Sequence, residues 1–176
     1  PRRAEADGAM RFLTEEEVLA ARRHFKSTDV TAPRKARVTY DSGPESYRRL
    51  AGPIVAELGT FDEALLWIED MAFGDSYHEG KIENPLWRDY YHWRGLNGDD
   101  RRVMEAPGCL FDGKDSKQLS EAITYAMSLA CDAHLMVRPG RTLLKISRDD
   151  TIDVVSGLNA RALISRLQKL GCKVTP

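Results

Sequence analysis

Residues 85–95, Pro-Leu-Trp-Arg-Asp-Tyr-Tyr-His-Trp-Arg-Gly, hold four of the fourteen aromatic residues of the chain. Trp87, Tyr90, Tyr91 and Trp93 are interleaved there with Arg88, His92 and Arg94. Pro85 opens the stretch and Gly95-Leu96-Asn97-Gly98 closes it, so it reads as one helix. Helical spacing places Trp87, Tyr90, Tyr91 and Arg94 on one side and Leu86, Tyr90 and Trp93 on an adjoining stripe. Rings spread over that arc need more than one covering surface. The covering layer is a second layer of this chain, a partner chain or a ligand. Trp, Tyr and Arg together are the composition of interface hot spots, because they bury much area while keeping a polar handle. The same residues suit stacking on bases. A core stripe with arginine over the rings is the plainer alternative. The arc predicts that at least one ring, foremost Trp87 or Trp93, lies at a surface that a partner covers.

The rest of the chain divides by pattern. Residues 1–10 carry no periodicity and read as a mobile tail. Thr14-x-x-Glu17 is a capping box and starts a helix ending near Ser27. A basic loop follows, then a short strand at Val38 and Tyr40. Pro44 opens a helix with apolar positions Tyr47, Leu50, Ala51, Ile54, Val55 and Leu58, which Gly52-Pro53 should kink or divide. Thr60-x-x-Glu63 looks like a second capping box, predicting a helix to about Phe73 with Leu65, Ile68 and Ala72 on one face. From residue 99 the character changes. Residues 103–111 read as extended, 116–132 as a helix, and His134–Val137, Thr142–Ile146 and Ile152–Val155 as strands. A last helix, Asn159 to Leu170, ends at Gly171, before a strand at 172–174.

These elements predict a single α+β domain over residues 11–176. A mostly helical half (11–98) would pack on a C-terminal antiparallel sheet of split βαβ type (99–176) with two covering helices. The length suits one domain, and the net charge of −1 gives no overall pull toward nucleic acid or anionic membrane. No apolar run approaches the roughly 18 residues of a membrane span. Cys109, Cys131 and Cys172 are widely spaced and odd in number, without a CxxC, which predicts a reducing, cytoplasmic setting. The N-terminus has no apolar segment of secretory type.

Candidate chemistry is incomplete everywhere. His78, Glu79 and Glu83, with His92, would be metal ligands, but the spacing is not HExxH and a solvated acidic loop explains them as well. Cys109 follows a Pro-Gly turn and would need His92 or His134 beside it to act as a nucleophile. Arg22, Arg23, Lys26, Arg34, Lys35 and Arg37 form a basic cluster suited to phosphate contacts. Asp112-Gly113-Lys114 lacks P-loop spacing, and no cofactor is expected. The sequence reading is therefore a non-catalytic binding or regulatory protein of the effector or inhibitor kind. It would act through a protein partner or self-association, using Trp87, Arg88, Tyr90, Tyr91, Trp93 and Arg94. Nucleic-acid binding through the basic cluster is the second reading, and a small metal- or cysteine-dependent hydrolase the third.

Overall fold

The computed structural model describes residues 10–25, 35–71, 77–78, 81–82, 84–139, 142–156 and 160–176. The segment read as a tail lies outside them at residues 1–9, as do Lys26, Arg34, Glu79 and Glu83. In chain order the elements are β1 (Arg11–Leu13), α1 (Glu15–Arg22), β2 (Ala36–Thr39), α2 (Pro44–Leu58) and β3 (Glu63–Met71). Next come β4 (Tyr77–His78), β5 (Lys81–Ile82), α3 (Pro85–Leu96), β6 (Gly108–Asp112) and α4 (Ser116–Ser128). The chain continues through β7 (Cys131–Arg138), β8 (Thr142–Ser147), β9 (Thr151–Ser156), α5 (Ala160–Lys169) and β10 (Lys173–Thr175).

One sheet of eight strands runs in the order β1-β6-β3-β7-β8-β9-β2-β10, every neighbouring pair antiparallel. This corrects the expected helical N-terminal half. Helices and strands are interleaved, and β1, β2 and β3 from the N-terminal half belong to the sheet. The connections β6–α4–β7 and β9–α5–β10 each join parallel strands with one strand between them. Those inserted strands, β3 and β2, come from the N-terminal half, so the two halves are threaded through each other rather than stacked.

The decisive misreading is β3. Thr60-x-x-Glu63 precedes no helix. Ala64, Leu65, Leu66, Trp67 and Ile68 are an unbroken apolar run, and a central strand buried on both faces accepts such a run. Ala64, Leu66 and Ile68 face the larger core; Leu65 and Trp67 face the smaller one. Alternation of side chains along a strand divides the run between two cores, whereas a helix would have to bury it on one stripe. Cross-strand pairing with β6 and β7 outweighs the helix propensity of Glu, Ala and Leu.

The larger core joins α2, α3, α4 and α5 to one sheet face. The smaller core lies on the opposite face, where Val18 and Phe25 cover Leu13, Leu65, Trp67, Met136, Leu143 and Val155. The Thr14 capping box is present: Thr14 Oγ1 accepts from Glu17 N, and Glu17 Oε2 accepts from Thr14 N at 2.7 Å. Gly108 lets α1 lie close, since a methyl there would overlap Val18 Cγ2. Helix α2 runs unbroken through Gly52-Pro53; its buried stripe of Tyr47, Leu50, Ala51, Ile54, Val55 and Leu58 holds it. A proline costs about 3 kcal/mol in a helix interior, less than burial of that many large side chains returns at roughly 1.5–3 kcal/mol each.

Candidate functional site at helix α3

Helix α3 starts where Asn84 Oδ1 accepts from Leu86 N at 2.9 Å, with Pro85 in the first turn. At its end Asn97 Nδ2 donates to Trp93 O at 2.7 Å, and Gly98 takes φ of 86°. Between these caps the helix has two faces of different character.

The inner face carries Trp87, Tyr90, Trp93 and Arg94, all buried. Trp87 is 1% exposed and Trp93 7%, so neither of the two rings put foremost lies at the surface of the chain, while Tyr91 is half-buried. The reason is that α3 has two neighbours at once. Phe12 of β1 meets Trp93 edge-on, with ring centroids 5.8 Å apart. Tyr125 of α4 lies 5.2 Å from Tyr90 and 5.6 Å from Trp93. A sheet edge on one side and a helix on the other bury both stripes. Tyr90 and Trp93 stack on each other at 5.8 Å and 16°. Trp93 Nε1 donates to Glu121 at 2.9 Å, so the indole has its polar partner. Tyr91 is half-buried and its hydroxyl accepts from Val103 N at 3.1 Å.

Arg94 is fully buried and works as a bolt. It is ion-paired with Asp99 and donates to Ala106 O at 3.0 Å. Its guanidinium lies 4.6 Å from the Phe12 ring centre. Asp99 also accepts from Arg101 Nε at 2.6 Å, and Arg101 Nη2 donates to Phe12 O at 2.9 Å. Together these ties join α3, the loop after it, β1 and the approach to β6.

The outer face carries Arg88, Asp89, His92 and Gly95, all exposed, between two exposed leucines. Leu86 is 37% exposed and Leu96 is 74% exposed. Beside this face an open groove of about 320 Å³ is lined by Arg48 of α2, Leu86 and Asp89 of α3, and Glu121 and Tyr125 of α4, among others. Tyr125 links groove to interior: its hydroxyl donates to Asp89 O at 3.4 Å while its ring packs on Tyr90 and Trp93. Sequence reasoning did not single out Arg48, Glu121 or Tyr125. The available signal was Tyr125, an aromatic residue in a helix whose apolar stripe is otherwise aliphatic.

The other candidates are placed as follows. Arg22 is half-buried at the end of α1, with its guanidinium 4.7 Å from the Trp67 ring centre. Arg23 and Lys35 are exposed. Arg37 on β2 makes a bidentate pair with Asp153, at 2.7 and 2.8 Å. Arg22 of α1, lying over Trp67 of β3, and Arg37 of β2 share a sheet face, but β3 and β2 are four strand spacings apart in the sheet order, or about 19 Å. Arg22 stacks on Trp67 and Arg37 is paired with Asp153. His78 contributes backbone pairing with Lys81. Among the described residues no group of three His, Cys, Asp or Glu side chains is placed to hold a metal. Cys109 is 3% exposed, because Pro107-Gly108 leads into a strand rather than a surface turn. Burial pushes its thiol up to about 12, which disfavours the thiolate a nucleophile requires. His134 is buried on β7, with Nε2 3.6 Å from Glu69 and its ring against Trp67. No described helix is long and apolar enough to cross a membrane.

No family model, curated protein or solved structure matches this chain.

Proposed function

We propose that this protein is a non-catalytic binding protein that engages a protein partner through the outer face of α3 and the groove beside it. The observation that carries this reading is Leu96, 74% exposed on a helix whose other face is locked by four buried side chains. A rigid helix that presents exposed leucines among Arg88, Asp89 and His92 loses little conformational freedom on docking, and that lowers the cost of association. The buried aromatic residues support the surface from within rather than touching the partner, and Tyr125 is where their stack reaches the groove.

The test uses the full chain with a photo-crosslinking phenylalanine derivative at His92. Sedimentation of the purified protein distinguishes self-association from a different partner. Leu96→Arg, alone and with Leu86→Arg, should abolish a specific crosslink while leaving the melting temperature nearly unchanged, since exposed leucines contribute little to folding. A crosslink that survives both substitutions overturns the reading. So does a protein that is monomeric and gives no discrete crosslinked product in extracts of its own source.

A further inference from the structure

The opposite face of the sheet carries a second concavity, independent of α3. A cleft of about 340 Å³ opens between α1 and the sheet. Its floor is Leu110 of β6, and its roof is Ala20, Ala21 and Phe25 at the end of α1. Register places Arg11 beside Leu110 on β1, and Glu63 beside Arg138 across β3 and β7. Arg11, Arg138 and His24 line the cleft together with one acid, Glu63.

The electrostatics of this rim are unbalanced. Glu63 is held by Arg138 Nη2 at 2.8 Å, which leaves Arg11 without a carboxylate among the residues lining the cleft. Arg138 Nε is buried and has no hydrogen-bond partner among the described residues. The Arg138 side chain as a whole is 41% exposed, so an incoming carboxylate can compete with Glu63 for its guanidinium. At the end of α1 the Ala20, Ala21 and Arg22 carbonyls accept from Arg23, His24 and Phe25 N. Apolar walls below and above with two guanidinium groups at the rim suit a short amphiphile with one anionic head. Guanidinium favours a carboxylate because its fork matches both oxygens.

We infer that this cleft binds a small carboxylate with a short apolar body, the carboxylate against Arg138 and Arg11 and the body over Leu110 under α1. The test is a titration of the intact chain with hexanoate, hexanol and inorganic phosphate, followed by amide and methyl NMR. Hexanoate should saturate and shift Ala21, Phe25 and Leu110, while hexanol and phosphate bind at least about tenfold more weakly, the cost of losing one charge-assisted hydrogen bond or the apolar contact. Arg138→Gln should weaken hexanoate by a similar factor. Glu63→Gln should strengthen it, because Arg138 loses its competing carboxylate. Leu110→Trp, which fills the cleft without removing charge, should abolish binding, and a native amide spectrum for each variant establishes that it folds. Equal affinity for hexanol or phosphate, an unchanged affinity in Arg138→Gln, or saturable binding by Leu110→Trp each overturns the inference. None of these results bears on α3, which lies on the other side of the sheet.

Discussion

At the scale of single residues, the aromatic segment shows how burial decides function. Exposed tryptophans would be dispensable to the fold. Trp87 and Trp93 are instead core residues, so Trp87→Ala or Trp93→Ala should destabilise by about 3–5 kcal/mol in urea denaturation, in the manner of large-to-small core substitutions. A change below about 1 kcal/mol in both would contradict the packing described. His134 gives a pH signature. Burial lowers its pKa, with Glu69 partly opposing. The unfolded chain therefore takes up a proton at a pH where the folded chain does not. Stability is complete above the unfolded value of about 6.5 and falls as the pH drops through it. Melting temperatures measured from pH 7.5 to 5 should decline less steeply in His134→Gln than in the unaltered protein. Parallel curves would show that another group governs that window.

At the scale of elements, the amphipathic helices read most plainly from sequence. Helix α4 buries Leu119, Ala122, Ile123, Ala126 and Met127, and α5 buries Leu163 and Leu167, at the spacing that marks them in sequence. Ile123 and Leu167 are 0% exposed in the larger core. Ile123→Ala or Leu167→Ala should cost about 2–5 kcal/mol, read from the denaturant midpoint at constant slope. Strands β7, β8 and β9 were also legible, because Pro139-Gly140 and Arg148-Asp149-Asp150 punctuate them. Asp150 takes φ of 56°, a left-handed turn conformation that aspartate tolerates. Strand β3 was not legible. Its helix-like opening and unbroken apolar run fit two structures equally, and only its neighbours distinguish them.

At the scale of the whole molecule, the two sheet faces differ in how firmly they are closed. Among the described residues, four helices cover the larger core, whereas the smaller one is covered by Val18 of α1 and by Phe25, which follows it. Native-state hydrogen exchange should therefore find the slowest amides in β7 and β8 and markedly faster ones in α1, which opens without disturbing the larger core. Equal protection of α1 and β7 would indicate one cooperative unit. The same asymmetry leaves the cleft under α1 accessible to a small molecule, while the α3 face stands on the rigid side.

Some of this was fixed by the order of residues alone. Local signals are self-contained: the Thr14 capping box, the apolar stripes of α2, α4 and α5, and the turn residues between β7, β8 and β9 each act within a few positions. The aromatic density of residues 85–95 likewise dictated that this helix would be covered on more than one side. What covered it was decided by tertiary structure, because Phe12 and Tyr125 are distant in sequence and meet α3 only once the sheet and α4 are assembled. The same holds for β3, whose strand identity depends on pairing with β6 and β7, and for the burial of Cys109. Long-range contacts set these outcomes, and periodicity along one segment carries no information about which partner arrives from elsewhere in the chain.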